Sequence, residues 1–504
     1  MVGGGTSGRC GEISGETRWR GEAIGSQSLH STAAALAARG AESKAAPREG
    51  RQEGGCMKSK EGQSRSEVSA VPERATQGTE TRSRDWTWVE ASIWTERMLA
   101  ALDNGVKGGK WFSLIDKVVR PGTLAAAWQK VARNAGAAGV DRQSVAQFAT
   151  RAEENLRELE EELKAGRYRP QPVRRVDIPK AGGKTRPLGI PAVKDRIVQT
   201  ALKLVIEPIF ERDFLDSSYG FRPGRGAKDA LREVDGLLKE GYTHVVDADL
   251  SSYFDTIPHE RLMALVEERI SDGQVLGLIQ GYLEQDVVQG LERWTPTGGT
   301  PQGAVISPLL ANLYLHPLDK VMRAKGSRMV RYADDFVVLC RSTKETEAAL
   351  AVIQAWVKEN GLALHPDKTH VGDCRVEGQG FEFLGYRFEA GKRWVRKKSL
   401  AALLDRVREK TGRSRGDSVE CIVAELNPML KGWFGYFKHA DPFVFKRVDG
   451  FIRRRLRALM RKQEKRPGMG RCLADHKRWP NAFFAGLGLF TMTEVRVLAS
   501  RSRC

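Results

Sequence analysis

The sequence has no pair of cysteines spaced as Cys-x-x-Cys, no long uninterrupted apolar run, and no basic-then-apolar leader at its start. Its seven cysteines are odd in number and scattered, which favours neither a disulfide framework nor a zinc site and points to a reducing cytoplasm. Because a membrane-spanning helix needs about 20 apolar residues, we expect no membrane association. Export is not expected either.

Acidic residues are scarce relative to basic ones. Lys and Arg number 82 against 63 Asp and Glu, which gives a net charge of +19 and a pI near 9.7. From residue 391 to residue 480 there are 25 Lys and Arg against 9 Asp and Glu, a net 25 − 9 = +16 that accounts for most of the surplus. Such an excess suits a polyanionic partner, and we predict a nucleic acid.

The first 85 residues contain few large apolar side chains and are rich in Gly, Ser, Arg, Glu and Ala. A segment of this composition buries too little surface to offset the entropy of ordering, so residues 1–85 are predicted to be disordered. A more ordinary stretch begins at Met57, which suggests that residues 1–56 are an upstream extension and not native protein. Mass spectrometry of the natural N-terminus tests this hypothesis.

Two adjacent aspartates, Asp334 and Asp335, stand in the middle of the apolar stretch Arg331–Cys340. The β-branched and aromatic residues on both sides predict a hairpin with the carboxylates at or near its tip. Side chains alternate along a strand, so one carboxylate is expected in the site while the other reaches in from the turn. Two close carboxylates repel each other without a cation. The alternative for an isolated pair is a solvated turn.

A second acidic strand end favours a functional site. A predicted strand from Thr243 to Ala248 ends at Asp249, and a helix is expected after Pro258. Carboxylates from two strands of one sheet supply the oxygen ligands that hard cations prefer. Two divalent ions roughly 3.5–4 Å apart are a common device for displacement at phosphorus. Asp247 competes with Asp249 for this role.

These residues resemble the palm of a reverse transcriptase, in which the first aspartate is followed five positions later by an aromatic gate and the second element reads Tyr-x-Asp-Asp. The matching positions are Asp249, Phe254, Tyr332, Asp334 and Asp335. Only Asp249, and not Asp247, has an aromatic residue at that spacing. The resemblance implies two Mg²⁺ ions and the catalytic residues Asp249, Asp334 and Asp335, with metal ligands Asp249, Leu250, Asp334 and Asp335.

Basic residues surround a Gly-Gly turn between two short predicted strands near residues 173–178 and 187–190. They are Lys180, Lys184 and Arg186. Glycines and cations in one turn fit an incoming triphosphate, although a basic hairpin is often only a solvated loop. The resemblance assigns the triphosphate to Lys180 and Arg186. It leaves Lys184 as an alternative and Arg196, on the next helix, open to either triphosphate or template.

Other residues are implied to bind the nucleotide. A phenyl ring at Phe254 would collide with a 2′-hydroxyl, so deoxynucleotide selectivity is expected. Gln302 and Gly303 belong to a Pro-Gln-Gly motif before a buried helix predicted from Ile306 to Leu318, and this motif matches the branch of group II intron and telomerase-like enzymes. Lys368 matches a lysine beside the leaving pyrophosphate, where an ammonium could act as general acid. A surface lysine is the alternative.

Template and primer contacts are implied at two places. Tyr219 and Arg222 lie in a Gly/Pro-rich loop whose interleaved aromatic and arginine residues suit stacking and phosphate binding, with a packing loop as the alternative. The stretch from Phe381 to Phe388 is an alternating strand pair with a glycine bend and resembles a primer grip. The implied contacts there are Phe383, Leu384, Gly385 and Tyr386, and a core hairpin is the alternative.

The basic C-terminal region resembles a maturase domain through the stretch Leu426–Asp441. Helices that carry both cations and apolar stripes suit a duplex backbone. The RNA-binding residues implied are Lys431, Arg453, Arg454 and Arg455. The paired cysteines of an H-N-H endonuclease are missing, so we expect no such domain.

Taken together, the motifs resemble a bacterial group II intron-encoded reverse transcriptase and maturase over about residues 95–495. The implied fold is α+β, a right-hand polymerase with an antiparallel palm sheet plus a mostly helical thumb and maturase domain. The expected domains are an N-terminal extension with fingers (86–245), the palm (246–390) and the thumb/maturase region (391–504).

The implied function is RNA-directed DNA synthesis together with binding of the intron RNA to assist its splicing. The implied partners are intron RNA, an RNA template with a DNA primer or target, and dNTPs, in the bacterial cytoplasm and at the nucleoid. The alternatives are a non-enzymatic RNA-binding splicing factor and a retron or CRISPR-associated reverse transcriptase.

Overall fold

A computed structural model of the chain describes residues 86–106, 108–179 and 185–501. The predictions for residues 1–85, for Lys180 and for Lys184 therefore lie outside the described residues. Within the described part of the chain, no helix is both long and apolar enough to cross a membrane.

The helices begin and end where the local sequence predicts. Pro121 opens its helix at the first position, where a missing N–H costs nothing, and the side chain of Ser144 caps another helix. The acidic helix Ala152–Lys164 buries Leu159 and Leu163. In chain order the helices are α1 (Glu96–Asn104), α2 (Ile115–Val118), α3 (Pro121–Asn134), α4 (Val145–Ala149), α5 (Ala152–Lys164), α6 (Val193–Glu211), α7 (Ala227–Lys239), α8 (Tyr253–Thr256), α9 (His259–Glu267), α10 (Gly273–Leu283), α11 (Ser307–Ala324), α12 (Thr343–Glu359), α13 (Lys397–Lys410), α14 (Val419–Phe437), α15 (Pro442–Gln463), α16 (Leu473–Arg478), α17 (Asn481–Gly486) and α18 (Met492–Arg501).

The strands of the described residues form three sheets. They are β1 (Val173–Pro179), β2 (Thr185–Ile190), β3 (His244–Asp249), β4 (Val287–Gln289), β5 (Glu292–Trp294), β6 (Arg328–Tyr332), β7 (Asp335–Cys340), β8 (His370–Asp373), β9 (Phe381–Phe383), β10 (Tyr386–Glu389) and β11 (Lys392–Val395). The first sheet has the order β2-β1-β4-β5, so the predicted basic hairpin is widened by a second hairpin, β4–β5, that the sequence analysis did not anticipate.

The second sheet is antiparallel and has the order β6-β7-β3-β8. It joins the two predicted acidic strand ends, because β3 lies directly beside β7. The predicted strand before Asp249 and the predicted helix after Pro258 are both present. The helix predicted from Ile306 to Leu318 is present as α11 and continues for one and a half turns beyond that end.

In this palm sheet, the strand β7 is buried on both faces. Along β7, Phe336, Val338 and Cys340 pack into one hydrophobic core with the N-terminal helices and α9 to α12. Val337 and Leu339 point the opposite way, into a second core with β9 to β11 and the C-terminal helices. A strand whose side chains alternate between two cores has a continuous apolar sequence. Its register is strongly specified, because a slip of one residue would move every side chain to the opposite face.

Candidate active site

The Asp-Asp pair lies at a two-residue hairpin turn, as predicted. Tyr332 and Asp335 are the last paired residues of β6 and β7, and Ala333 and Asp334 form the turn between them. Ala333 has a positive φ of 61°, an unfavourable conformation for a residue with a side chain. Asp335 therefore sits on the strand, whereas Asp334 reaches out from the turn.

Asp249 faces this hairpin directly. It is the last residue of β3, and its Cα partner across the ladder is Asp335. Residues directly opposite each other in an antiparallel pair have Cβ atoms about 5 Å apart. Burial of the Asp335 carboxyl, together with the nearby charges of Asp247, Asp334 and Asp249, raises its pKa well above the ordinary value. The three predicted aspartates are thus brought to one end of the palm sheet.

The carboxylates at this end of the sheet are the type of ligand that hard divalent cations prefer. Several carboxylates share one small region, and neutralising their repulsion is what a bound cation would do. The ammonium group of the exposed Lys368 donates a hydrogen bond to Oδ2 of Asp249, and the two side chains form an ion pair. Within the described ranges, however, no group of three or more His, Cys, Asp or Glu side chains is arranged to hold a metal ion.

The register separates Asp249 from its competitor. Asp247 lies opposite Val337 and His370 and accepts a 3.5 Å hydrogen bond from the backbone of Glu382. Burial, with a contribution from Asp249, raises the pKa of Asp247 to about 7. Asp249 is thus the residue directly opposite Asp335, whereas Asp247 lies two residues further from the turn, although its charge also raises the pKa of Asp335.

Leu250 follows β3 and is buried, forming a bridge to Leu364. Its side chain has no atom that could bind a metal, so only its backbone carbonyl could act as the predicted ligand.

The predicted steric gate is fixed by the loop before α11. Phe254 is half-buried on α8, and its carbonyl accepts a 2.6 Å hydrogen bond from the backbone of Thr300. Gly299 has a φ of 86°, and a Cβ there would lie 2.7 Å from the same carbonyl oxygen. The neighbouring Tyr253 belongs to the core, because it is buried and its hydroxyl donates to the carbonyl of Ala311 at 2.6 Å.

Two of the predicted nucleotide-binding residues are in contact with each other. Arg186 donates through Nε to Oε1 of Gln302 at 3.0 Å, and Gln302 in turn donates to the carboxylate of Asp255 at 3.2 Å. Gly303 has a φ of 113° and packs so closely on the backbone of Gly189 that no side chain would fit. The Pro-Gln-Gly loop and the basic hairpin therefore form one surface beside Phe254. The contact of Asp255 with Gln302 was not predicted, and the only hint of it in the sequence is that Asp255 follows Phe254.

Arg196 is not available for either role left open to it. Its guanidinium donates to the backbone carbonyls of Pro191 at 2.9 Å, Ala135 at 3.3 Å and Ala137. These bonds fasten the Gly/Ala-rich loop after α3 to α6.

Arg222 has a structural role in place of the predicted template contact. Its side chain is enclosed and forms an ion pair with Glu211 at 2.6 Å. It also donates to the carbonyls of Leu215 at 2.5 Å and Ser218 at 2.6 Å. Tyr219 is buried as well, with the guanidinium of Arg225 5.7 Å from its ring centre. Arg222 and Tyr219 thus pack the loop against the protein. A contact between the template and the exposed atoms of this loop stays a prediction.

The predicted primer-grip hairpin is present between β9 and β10. Phe383 and Tyr386 pair across a two-residue turn of Leu384 and Gly385, whose φ angles are 47° and 85°. The three larger side chains of this group are buried, so only the backbone of the turn could approach a primer. Tyr436 on α14 holds the turn by donating its hydroxyl to the Leu384 carbonyl at 2.8 Å.

The predicted RNA-binding residues differ in exposure. Lys431 is exposed on α14, and Arg453 and Arg454 are half-buried on α15. Arg455 instead caps the end of α13, donating to the side chain and carbonyl of Thr411 at 3.0 and 2.8 Å. Arg455 is therefore engaged within the protein.

Two family models match the chain. Residues 178–388 match the model described as reverse transcriptase (RNA-dependent DNA polymerase), and residues 400–479 match the model described as the group II intron, maturase-specific domain. The first match contains the palm sheet and the Arg186–Gln302 surface. The second contains α14 and α15.

Several curated proteins are similar in sequence. Protein YkfC of Escherichia coli is 38% identical over 319 residues, which are 54% of this chain and 82% of that protein. The group II intron-encoded protein LtrA of Lactococcus lactis is 37% identical over 206 residues, 40% of this chain and 34% of that protein. An uncharacterized 91 kDa protein in the cob intron of Schizosaccharomyces pombe is 40% identical over 268 residues, 42% of this chain and 33% of that protein. The aligned part thus spans most of the first relative but only about a third of the other two.

Proposed function

The chain belongs to the family of group II intron reverse transcriptases and maturases, and on that premise we propose that it copies RNA into DNA at the end of the palm sheet that carries Asp249, Asp334 and Asp335. The observation that carries this proposal is the direct pairing of Asp249 with Asp335 beside the turn that presents Asp334. The proposed substrates are dNTPs, an RNA template and a DNA primer or target.

The three carboxylates would hold two Mg²⁺ ions, to which Leu250 could add its backbone carbonyl. When bound, such a pair lowers the barrier by activating the primer 3′-hydroxyl and neutralising the triphosphate. Lys368, which contacts Asp249, is proposed to donate a proton to the departing pyrophosphate.

The nucleotide would bind on the surface made by the basic hairpin and the Pro-Gln-Gly loop. Arg186, already oriented by Gln302, presents a planar guanidinium that suits phosphate oxygens. Lys180 is proposed as a second triphosphate contact on sequence grounds alone. Gly303, which packs on the backbone of Gly189, is proposed to offer only its backbone to the nucleotide. The ring of Phe254 would exclude a 2′-hydroxyl.

The C-terminal helices would bind the intron RNA, assist its splicing and present it for copying after insertion into DNA. The net charge of +16 between residues 391 and 480 supports a phosphate-rich partner. Lys431, Arg453 and Arg454 are the proposed contacts. The scattered cysteines support a reducing bacterial cytoplasm as the compartment, with action at the nucleoid.

Primer extension on an RNA template with Mg²⁺ tests the polymerase proposal, with Asp334→Ala as the comparison. We expect the wild-type chain to extend the primer and the variant not to do so. If neither protein extends a primer while both bind intron RNA and support splicing, the chain is the RNA-binding splicing factor of the alternative proposal.

Co-purification of a discrete structured RNA tests the maturase proposal. The maturase-specific match over residues 400–479 favours an intron-encoded enzyme over a retron or CRISPR-associated one. We expect an intron RNA to co-purify with the full chain, and to be lost when Lys431, Arg453 and Arg454 are replaced together by Gln. Recovery of only heterogeneous RNA from the wild-type chain would contradict the proposal.

A further inference from the structure

A fully buried arginine lies directly beneath the Asp-Asp turn. Arg331 is 0% exposed, and so is the carboxylate side chain of Asp319 on α11 that it binds. The pair is bidentate, with Nε to Oδ1 at 2.8 Å and Nη2 to Oδ2 at 2.5 Å. Two parallel charge-assisted bonds fix the plane of the guanidinium and therefore the direction of its remaining N–H groups.

The third nitrogen of Arg331 is aimed at the turn. Nη1 donates to the carbonyl oxygen of Ala333 at 2.9 Å and to Oδ1 of Asn312 at 2.9 Å. Ala333 is the residue with the left-handed φ of 61°, immediately before Asp334. The guanidinium thus holds the carbonyl group of the peptide bond that leads into the catalytic aspartate.

The other side of the turn is held by the same network. Nδ2 of Asn312 donates to the carbonyl of Gly220 at 2.7 Å, and Gly220 packs so closely that a Cβ there would collide with the backbone nitrogen of Ala333. The neighbouring segment runs beside β6, since the backbone N–H of Tyr219 donates to the Arg331 carbonyl at 2.8 Å. The turn is therefore enclosed between a side chain below it and a backbone beside it.

We propose that Arg331, supported by Asp319 and Asn312, is a positioning residue that sets the Asp334 carboxylate relative to Asp249 and Asp335. This inference rests on the proposed polymerase function. A strained alanine turn would relax toward a more favourable conformation without a partner for its carbonyl, and Asp334 would move with it. A lysine could not replace Arg331, because a single ammonium group lacks the planar set of donors that reaches Asp319, Asn312 and Ala333 together.

A double variant tests the proposal without leaving a buried charge unpaired. Arg331→Met with Asp319→Leu removes both charges at similar volume, an exchange that buried ion pairs often tolerate with little loss of stability. The matched control is Arg457→Met, because Arg457 is also a buried arginine but bonds to Trp479 and Asn481 in the C-terminal helices. Full-length proteins would be compared by thermal melting and by primer extension on poly(rA)–oligo(dT) over a range of Mg²⁺ concentrations.

We expect the double variant to fold, to need roughly tenfold more Mg²⁺ for half-maximal synthesis and to lose at least about tenfold in kcat, because ångström-scale misplacement of a catalytic group has effects of this size. Mn²⁺, which binds carboxylates more tightly, should restore part of the rate. The control should melt at a lower temperature with an unchanged Mg²⁺ midpoint.

Asn312→Leu keeps the proposal testable if the double variant does not fold. This change removes the link between Arg331 and Gly220 but leaves the ion pair, and we expect a smaller shift of the Mg²⁺ midpoint, about threefold, in the same direction. A folded variant of either kind with a wild-type Mg²⁺ midpoint and kcat would overturn the positioning role. Absence of any synthesis by the wild-type chain would instead contradict the proposed function itself.

Discussion

Two tight hairpins in the described part of the chain share a left-handed turn residue but differ in what supports it. In the Asp-Asp hairpin, Ala333 has a φ of 61° and is held by Arg331 from within the same sheet. In the proposed primer-grip hairpin, Leu384 has a φ of 47° and is held by Tyr436, which comes from α14 in the maturase-matched region. Each strained turn is thus stabilised by a partner outside the turn.

The difference concerns which part of the molecule controls each turn. The side chains that support the Asp-Asp turn are buried and come from β6 and α11, so the turn receives no hydrogen bond from the C-terminal helices through this network. The support of the second turn is reciprocal, because Tyr386 also donates its hydroxyl to the Tyr436 carbonyl at 2.7 Å. A movement of α14 on binding RNA would therefore reach the primer-grip turn directly.

The largest effect is expected from Asp249→Asn. This change removes a proposed metal ligand at the point where β3 meets β7, and a loss of several kcal/mol of transition-state stabilisation corresponds to roughly a thousandfold lower rate of synthesis. Single-turnover primer extension measures this rate. Asp405→Asn, an exposed aspartate on α13, is the control and should keep the wild-type rate. A rate within a few-fold of wild type for Asp249→Asn would contradict the metal role.

Phe254→Ala should alter neither hairpin and should change only the choice of nucleotide. Without the ring, the preference for dNTPs over rNTPs is expected to fall by roughly one to two orders of magnitude. Competing single-nucleotide extensions measure the ratio of kcat/KM values. Tyr253→Phe, which removes only the buried hydroxyl next to the gate, should keep the preference. Unchanged discrimination by Phe254→Ala would contradict the assignment of Phe254 as the steric gate.

Tyr436→Phe tests the support of the second turn. It deletes the hydrogen bond to Leu384, which should lower the free energy of unfolding by about 1 kcal/mol. It should also raise the KM for primer without changing the Mg²⁺ midpoint. Denaturant unfolding and primer titration measure the two effects.

Tyr314→Phe is the matched control for this prediction, because it also deletes one tyrosine-to-carbonyl hydrogen bond, to Asn360 at 2.6 Å. It should lose similar stability and keep the wild-type KM for primer. Equal KM values for primer in Tyr436→Phe and Tyr314→Phe would contradict the proposal that Tyr436 controls the primer-grip turn.

The smallest effect is expected from Ala333→Gly. Relief of the left-handed strain, about 1 kcal/mol, is offset by the greater freedom of glycine in the unfolded chain, so stability should change by less than about 1 kcal/mol. Synthesis should fall by less than roughly tenfold, since Arg331 still holds the carbonyl of the turn. A loss as large as that of Asp249→Asn would show that the alanine side chain, and not the support beneath it, determines the turn.

Local features of this site could be predicted from the sequence. The Asp-Asp hairpin is built by neighbouring residues with strand-forming side chains, so its position follows from the pattern around Asp334. The aromatic spacing selected Asp249 over Asp247, and the β3–β7 register agrees with that choice.

Contacts between distant segments could not be predicted in this way. Arg196 looks like a nucleic-acid ligand in the sequence because its partners Ala135 and Ala137 lie 61 and 59 residues away. The partners of Arg222 lie within 11 residues, but the irregular Gly/Pro-rich loop has no periodicity from which their contact could be inferred. The same holds for Gly220, whose need for a bare backbone arises from a turn more than a hundred residues later.

A two-ion site at the end of the palm sheet can be tested by binding Mn²⁺ to the full chain with an RNA template, a DNA primer and a non-hydrolysable dNTP analogue. Electron paramagnetic resonance would count the bound ions and detect coupling between them. We expect two coupled ions for the wild-type chain and loss of that coupling for Asp335→Asn. Two coupled ions in both proteins, or none in the wild-type complex, would contradict a metal site built from Asp249, Asp334 and Asp335.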